Sequence, residues 1–281
     1  MIYSILGLKV QLELEDKEFI NKRLSAYKSS SSSFDISIKT VINNDIKEEE
    51  GIIIVNKDNY KIIENEKGKI IIRYKNKEVI AEKIISNNNQ VNIEYINHYN
   101  KFLTVNEREY LLVGNAFMSL VLKYGFVRFH ASCLRYKKEA VLFIADSGTG
   151  KSTHTNLWQK LFKEDVTYIN DDKPFLKIDN GLIKAYGSPW SGKSDLNNNI
   201  NAPVRAVVIL NRGQENIINK IQGKSQIFNI MKNINKYQSS QPEADLAFSI
   251  YQEIFKRVDI YELYCNISDE AVLIVKNELF K

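Results

Sequence analysis

The sequence predicts an α/β protein, in which a phosphate-loop domain with a mixed sheet and C-terminal helices follows a smaller, β-rich antiparallel domain. Three observations carry that reading. Residues 140–162, AVLFIADSGTGKSTHTNLWQKLF, give a buried strand, a glycine turn and an amphipathic helix in direct succession. The segment VTYIN (166–170) is a second apolar strand, and it runs straight into Asp171 and Asp172. The first hundred residues carry short runs rich in Ile, Val and Tyr, divided by turn formers.

In chain order, GIIIV (51–55), YKII (60–63), KIIIRY (69–74), EVIAEKII (78–85) and VNIEYI (91–96) read as strands. The gaps NKDN, ENEKG, KNK and SNNNQ are short enough for an antiparallel meander. SSSSSF (29–34) lies between two earlier candidate strands and reads as a mobile loop or as a recognition element. Composition changes near residue 104, which sets the expected domains at 1–104 and 105–281. From 107 to 125, apolar residues at 112, 113, 116, 117, 120 and 121 recur at helical spacing. VRFHASCLRY (127–136), AVLFIA (140–145), a hairpin over 175–187 turning at Asn180-Gly181, and APVRAVVIL (202–210) supply further strands. A largely helical tail comes next, with one more strand around DIYELYC (259–265).

Charge and composition exclude several classes. Net charge is +5, but Lys and Arg are interspersed with acids rather than gathered into the stripe that a nucleic-acid surface needs. Cys133 and Cys265 lie in apolar surroundings, and two Cys with three His offer neither a metal spacing nor a disulfide framework. The first residues lack a signal-peptide pattern, and no apolar run approaches the roughly 20 residues of a membrane span. The expectation is a cytoplasmic protein with no nucleic-acid or membrane partner. A homo-oligomer is compatible with the sequence, which does not fix the oligomeric state.

Two segments compete as the phosphate loop. GSPWSGKS (187–194) matches the pattern G-x-x-x-x-G-K-[ST] throughout, whereas ADSGTGKS (145–152) has Ala145 in place of the first Gly. A phosphate loop works through converging backbone N–H groups and the positive end of a helix dipole, so context outranks lettering. Only 145–152 sits between a buried strand and a helix, and Ala145 asks merely that the turn begin without positive φ. In 187–194, Pro189 removes a donor, Trp190 adds bulk, and NNN stands where a helix should start. That segment is either a surface turn or an active-site loop presenting Lys193. The second is favoured because it leaves a strand of the same sheet.

The chemistry is set by the loop. Ser147, Gly148, Thr149, Gly150, Lys151, Ser152 and Thr153 form the nucleotide cradle, with Lys151 on the β- and γ-phosphates and Ser152 on Mg²⁺. Asp171 and Asp172, just past a strand's C-terminal end, are placed to complete the metal site and to act as general base; which does which stays open. Arg205 is either a phosphate ligand or a strand-edge charge. Arg128 and Arg135 read as solvated, and His154, at a helix start, reads as a surface or locally hydrogen-bonded residue. His130, on the strand preceding the loop strand, reads by itself as a satisfied structural histidine, and His98 has no chemical context.

ADSGTGKST followed by INDD, with His130 fifteen residues ahead of Ala145, resembles the HPr serine kinase/phosphorylase catalytic domain. It is also similar to the wider fold shared with ATP-dependent phosphoenolpyruvate carboxykinase. The matching part covers roughly 127–210. The resemblance implies a P-loop kinase domain of the HPr kinase/PEP carboxykinase-like type, with ATP and Mg²⁺ as cofactors. It also implies that Lys151 and Ser152 bind nucleotide and metal, that the Asp pair serves metal and base, and that His130 supports the catalytic carboxylate. HPr kinases carry an E-x-R-G-x-G-like segment beyond the Asp pair. Here GSPWSGKSDLNNNI stands instead, so the resemblance does not extend to HPr as acceptor or to phosphorolysis. It is closer to compact HPr-kinase-like proteins beside peptide-modification genes, some of which phosphorylate a serine of a precursor peptide.

The expected function is therefore ATP-dependent phosphorylation of a hydroxyl, a serine in a peptide or protein (a precursor peptide among them). The acceptor would lie between the Asp pair and the 187–194 loop, held with help from the N-terminal β-domain. Two rivals stand beside it: a nucleotide-binding regulatory protein with little turnover, and a small-molecule kinase.

Overall fold

The computed structural model describes residues 1–76, 78–97, 103–146, 148–192, 194–222, 230, 234 and 240–281. Two compact units emerge. One comprises Met1–Tyr124 with Tyr237–Leu246, the other Gly125–Lys236 with Ala247–Lys281. The division thus comes after the long helix rather than before it near residue 104.

The first unit holds an eight-stranded sheet in the order β1 (Ile2–Ile5), β2 (Leu8–Glu13), β3 (Ile36–Ile42), β8 (Gln90–Tyr95), β7 (Ile80–Asn87), β6 (Gly68–Tyr74), β5 (Tyr60–Asn65), β4 (Ile52–Lys57). The meander from β4 to β8 is antiparallel, as the short turns require. The sheet as a whole is mixed, which corrects the expectation of an antiparallel domain: β3 is parallel to both β2 and β8. The cause is the connection between β2 and β3, which carries helix α1 (Lys17–Arg23) and so crosses over instead of folding back. Helix α2 (Val105–Val121) opens on a capping box between Thr104 and Glu107. Its apolar positions 112, 113, 116, 117, 120 and 121 are all buried.

The second unit is a nine-stranded mixed sheet. Its main path is β12 (Val166–Asn170), β10 (Ser132–Tyr136), β11 (Glu139–Ile144), β15 (Asn201–Arg212), β14 (Leu182–Tyr186), β13 (Phe175–Asp179), β9 (Val127–Arg128). β17 (Asp259–Cys265) lies parallel to β15 and pairs with β16 (Ile217–Ile221), a strand in what the sequence suggested was helical tail. The hairpin between β13 and β14 turns where expected, with both Asn180 and Gly181 at positive φ. Among the described residues this unit also carries helices α3 (Lys151–Phe162) and α5 (Asp269–Leu279) and the part of α4 (Gln241–Arg257) from Ala247 onward. No helix among the described residues is long and apolar enough to cross a membrane.

α3 and α5 share one core with this sheet, built on Tyr136, Phe143, Trp158, Val208, Leu263 and Val275. Trp158 is fully buried, and its ring meets those of Tyr136, Phe143 and Phe162. Within the same core lies His154, 4% exposed, where a surface position was one expectation. The other expectation, local hydrogen bonding, is the one observed: its Nε2 accepts from Trp158 Nε1 at 3.2 Å. Burial pushes the imidazole pKa down to about 4 from 6.5. The folded state therefore favours the neutral ring. That stability is present above pH 6.5 and is lost as pH falls through 4. Urea denaturation from pH 7 to 4 should cost the wild type about 3 kcal/mol more than His154→Gln, which keeps an acceptor without titrating.

Cys133 is buried and Cys265 half-buried, with no disulfide. Burial pushes both thiols up, so they behave as the small apolar residues expected. Arg128, expected to be solvated, is buried on β9. Arg135 is half-buried, its Nη2 at 3.5 Å from Thr167 Oγ1.

Candidate phosphate-binding site

β11 is a run of apolar residues buried on both faces, so it emerges at Ile144 from the middle of the sheet. The chain then turns through Gly148 at φ 79° and Gly150 at φ 108°, and α3 starts at Lys151. Both glycines hold left-handed conformations that cost an L side chain energy. Ala145 is not among the residues with positive φ, so the missing first Gly imposes no strain. Gly150 is the N-cap of α3 and provides no side-chain bond to the first-turn amides. That leaves the positive end of the helix dipole facing outward, with Ser152 and Thr153 exposed beside it. Ser147 lies outside the described residues.

β10 is antiparallel to both β11 and β12, so β11 and β12 point the same way. This brings the end of β12 to the edge where the glycine turn leaves β11. Asn170, fully buried there, shapes the turn into the paired acids. Its side-chain carbonyl accepts from the backbone N–H of Asp172 (3.0 Å) and Lys173 (2.6 Å), and its amide donates to Ser188 O (2.9 Å).

The two acids then diverge. Asp171 is buried, and its Oδ1 accepts from Ser132 Oγ at 2.5 Å. Ser132 Oγ also lies 3.3 Å from Thr155 Oγ1 on α3, which Tyr168 OH reaches at 3.2 Å. Asp172 is half-buried and faces a cluster of basic groups: Oδ1 lies 3.2 Å from His130 Nε2, and Oδ2 lies 2.7 Å from Lys173 Nζ. His130 is set opposite by the chain running alongside, where Ala131 N donates to Asp172 O at 3.1 Å. Lys151 Nζ approaches the same His130 Nε2, also at 3.2 Å. One nitrogen cannot accept from Lys151 and donate to Asp172 at once, so His130 serves one of them at a time.

Burial pushes the Asp172 carboxyl up, but the hydrogen bonds from His130 and Lys173 outweigh it and hold the group well below the usual carboxylate range. Asp172 is thus ionised at neutral pH. Burial pulls the Lys151 ammonium down, against the opposing pull of Asp172 and Asp171.

Residues 187–192 fold against this cluster. Ser188, Trp190 and Ser191 are buried, and Gly192, at φ 72°, passes directly over Asp172. A Cβ at Gly192 would stand 2.8 Å from Asp172 Oδ2. Gly192→Ala should therefore destabilise the fold by about 1–3 kcal/mol, measured by urea denaturation, and should displace the carboxylate. Lys193, expected to be presented by this loop, lies outside the described residues, as does His98.

Arg205 is a correction. It sits near the start of β15, whose Val204 pairs with Ala140 at the beginning of β11, the end of the sheet away from the glycine turn. Its Nε donates to Leu279 O at 2.7 Å, so it closes the C-terminus of α5 and is not brought to the glycine turn. The arginine at the glycine turn is Arg212, at the other end of the same strand, with Nη2 2.6 Å from Gly148 O. Asn170, Ser132, Lys173 and Gly192 also escape sequence reasoning. Asn170 could have been found, since an Asn immediately before paired acids can hold the backbone of that turn.

A scan against protein-family models finds no match, and neither does a search of curated proteins. Among solved structures, the chain is similar to the HPr(Ser) kinase/phosphatase from Coxiella burnetii at a TM-score of 0.32 and 14% identity. That match covers 54% of this chain and 95% of the other. So weak a likeness leaves the family open.

Proposed function

We propose that the chain is a Mg²⁺·ATP-dependent phosphotransferase that phosphorylates a hydroxyl, a serine of a peptide or protein. The observation that carries this reading is the meeting of Lys151, at the start of the helix behind the glycine turn, with Asp172 through His130. A cation for phosphate and a carboxylate for an acceptor hydroxyl then share one small volume.

The residues present suit Mg²⁺. No group of three His, Cys, Asp or Glu poised for a metal occurs among the described residues. Mg²⁺ needs none, because it takes one or two carboxylates and fills its octahedron with phosphate oxygens and water. Ser152, Asp171 and Asp172 are hard-oxygen donors of that kind. When bound, the ion would neutralise phosphate charge that Lys151 alone leaves in excess.

The chain's own groups divide the remaining work. The amides around Gly148 and Gly150 and the dipole of α3 hold the phosphates. Ser132, donating to Asp171 Oδ1, holds that carboxylate in one rotamer, and Asp171 would serve the metal. Asp172 orients the acceptor hydroxyl and takes its proton.

Incubation of the protein with Mg²⁺ and labelled ATP, alone, with host lysate and with a metabolite pool, tests this by mass spectrometry. Label on a polypeptide serine supports it. Label on a metabolite, or tight binding without any transfer, overturns it in favour of a small-molecule kinase or a nucleotide-binding regulator.

A further inference from the structure

We infer that Arg212 is a phosphate ligand of the nucleotide site, an inference that rests on the phosphotransferase reading. The register of the sheet puts it there. β15 is parallel to β11 with Ile209 opposite Ile144, so Leu210, Asn211 and Arg212 continue past the point where β11 gives way to the glycine turn. The extension is held on its other side by β17, with Arg212 opposite Cys265 and the Asn211 amide donating to Glu262 Oε1 at 2.8 Å.

Arg212 is exposed, and of the five N–H donors a guanidinium carries, one is spent on Gly148 O at 2.6 Å. A backbone carbonyl is a neutral acceptor on one side of the fork. A phosphate held by the same turn would offer charged oxygens in the geometry that guanidinium pairs with two bonds at a time. The other described charges of the site are Lys151 and Lys173 against Asp171 and Asp172, with Asp146 a further acid in the turn itself, so they hold no excess of positive charge. A triphosphate adds negative charge that this set does not meet. Among the described residues, Arg212 is a cation that already touches the turn and forms no ion pair with either carboxylate. A second role fits the same bond: a tether that holds the turn in shape through Gly148 O.

Equilibrium binding separates the two. Mg²⁺·ATP binding is measured for wild type, Arg212→Ala, Arg212→Gln and Arg212→Lys, with thermal melts as a check of folding. A phosphate ligand predicts that Ala and Gln both weaken Mg²⁺·ATP by about tenfold or more, with Lys in between. Gln can still donate to the Gly148 carbonyl but carries no charge, so Gln at wild-type affinity overturns the inference in favour of the tether. Ala at wild-type affinity overturns it outright. Failure of the wild type to bind Mg²⁺·ATP sinks the phosphotransferase reading as well. Wild-type binding that is lost in Lys151→Ala but kept in Arg212→Ala leaves that reading standing and removes Arg212 from it.

Discussion

Asp172→Asn should lower phosphoryl transfer by about 10²- to 10⁴-fold, the usual worth of a positioned general base, while Mg²⁺·ATP still binds. Asparagine keeps the size and one acceptor oxygen, so Gly192 can still pack over it and the turn set by Asn170 is untouched. What disappears is the negative charge that His130 and Lys173 hold in place. Asn can orient a hydroxyl but cannot take its proton. Asp171 and Ser152 remain as metal donors, so nucleotide binding should be spared far more than transfer. Rapid-quench transfer assays beside calorimetric binding give the comparison. Equal loss of binding and transfer would contradict the role of base and make Asp172 chiefly a holder of the metal.

Lys151→Ala should remove both activities together. A charge-assisted contact to phosphate is worth about 1.5–3 kcal/mol, so binding should weaken at least tenfold to a hundredfold, and transfer should fall to background. The effect should exceed that of a fully exposed lysine because Lys151 is half-buried and burial pulls its ammonium pKa down. Its partner His130 then has only Asp172 to serve, so the variant should keep the His130–Asp172 contact and remain folded. Wild-type nucleotide affinity in Lys151→Ala would detach the glycine turn from phosphate binding altogether.

Both expectations draw on a stretch that was legible in the sequence. The strand, glycine turn and helix over 140–162 are contiguous, and each is set by local rules: an apolar run for a buried strand, glycines for left-handed φ, and spaced apolar residues for the face of α3. The choice of 145–152 over the better-spelled 187–194 rested on the same local context. Trp190 and its neighbours are indeed buried in a loop with no helix after it. His154 shows the limit of such reasoning. A helix start left a surface position and local hydrogen bonding both open, and the choice between them falls to the inward face of α3, fixed by what β11 presents to it, Phe143 among them.

Sequence alone, then, determined parts whose conformation depends on neighbours within a turn or two: the meander strands and β11, the Asn180-Gly181 hairpin, helix α2 and the glycine loop, though not β16. Tertiary structure decided which parts meet. Whether Arg205 or Arg212 stands at the glycine turn depends on the parallel register of β15 against β11. The mixed character of the first sheet depends on a crossover, and the seat of Asp172 depends on His130 and Gly192, distant in the chain on either side. The reason is physical: backbone sterics and hydrophobic period act within a few residues, whereas pairing register is chosen by burial summed over the whole sheet.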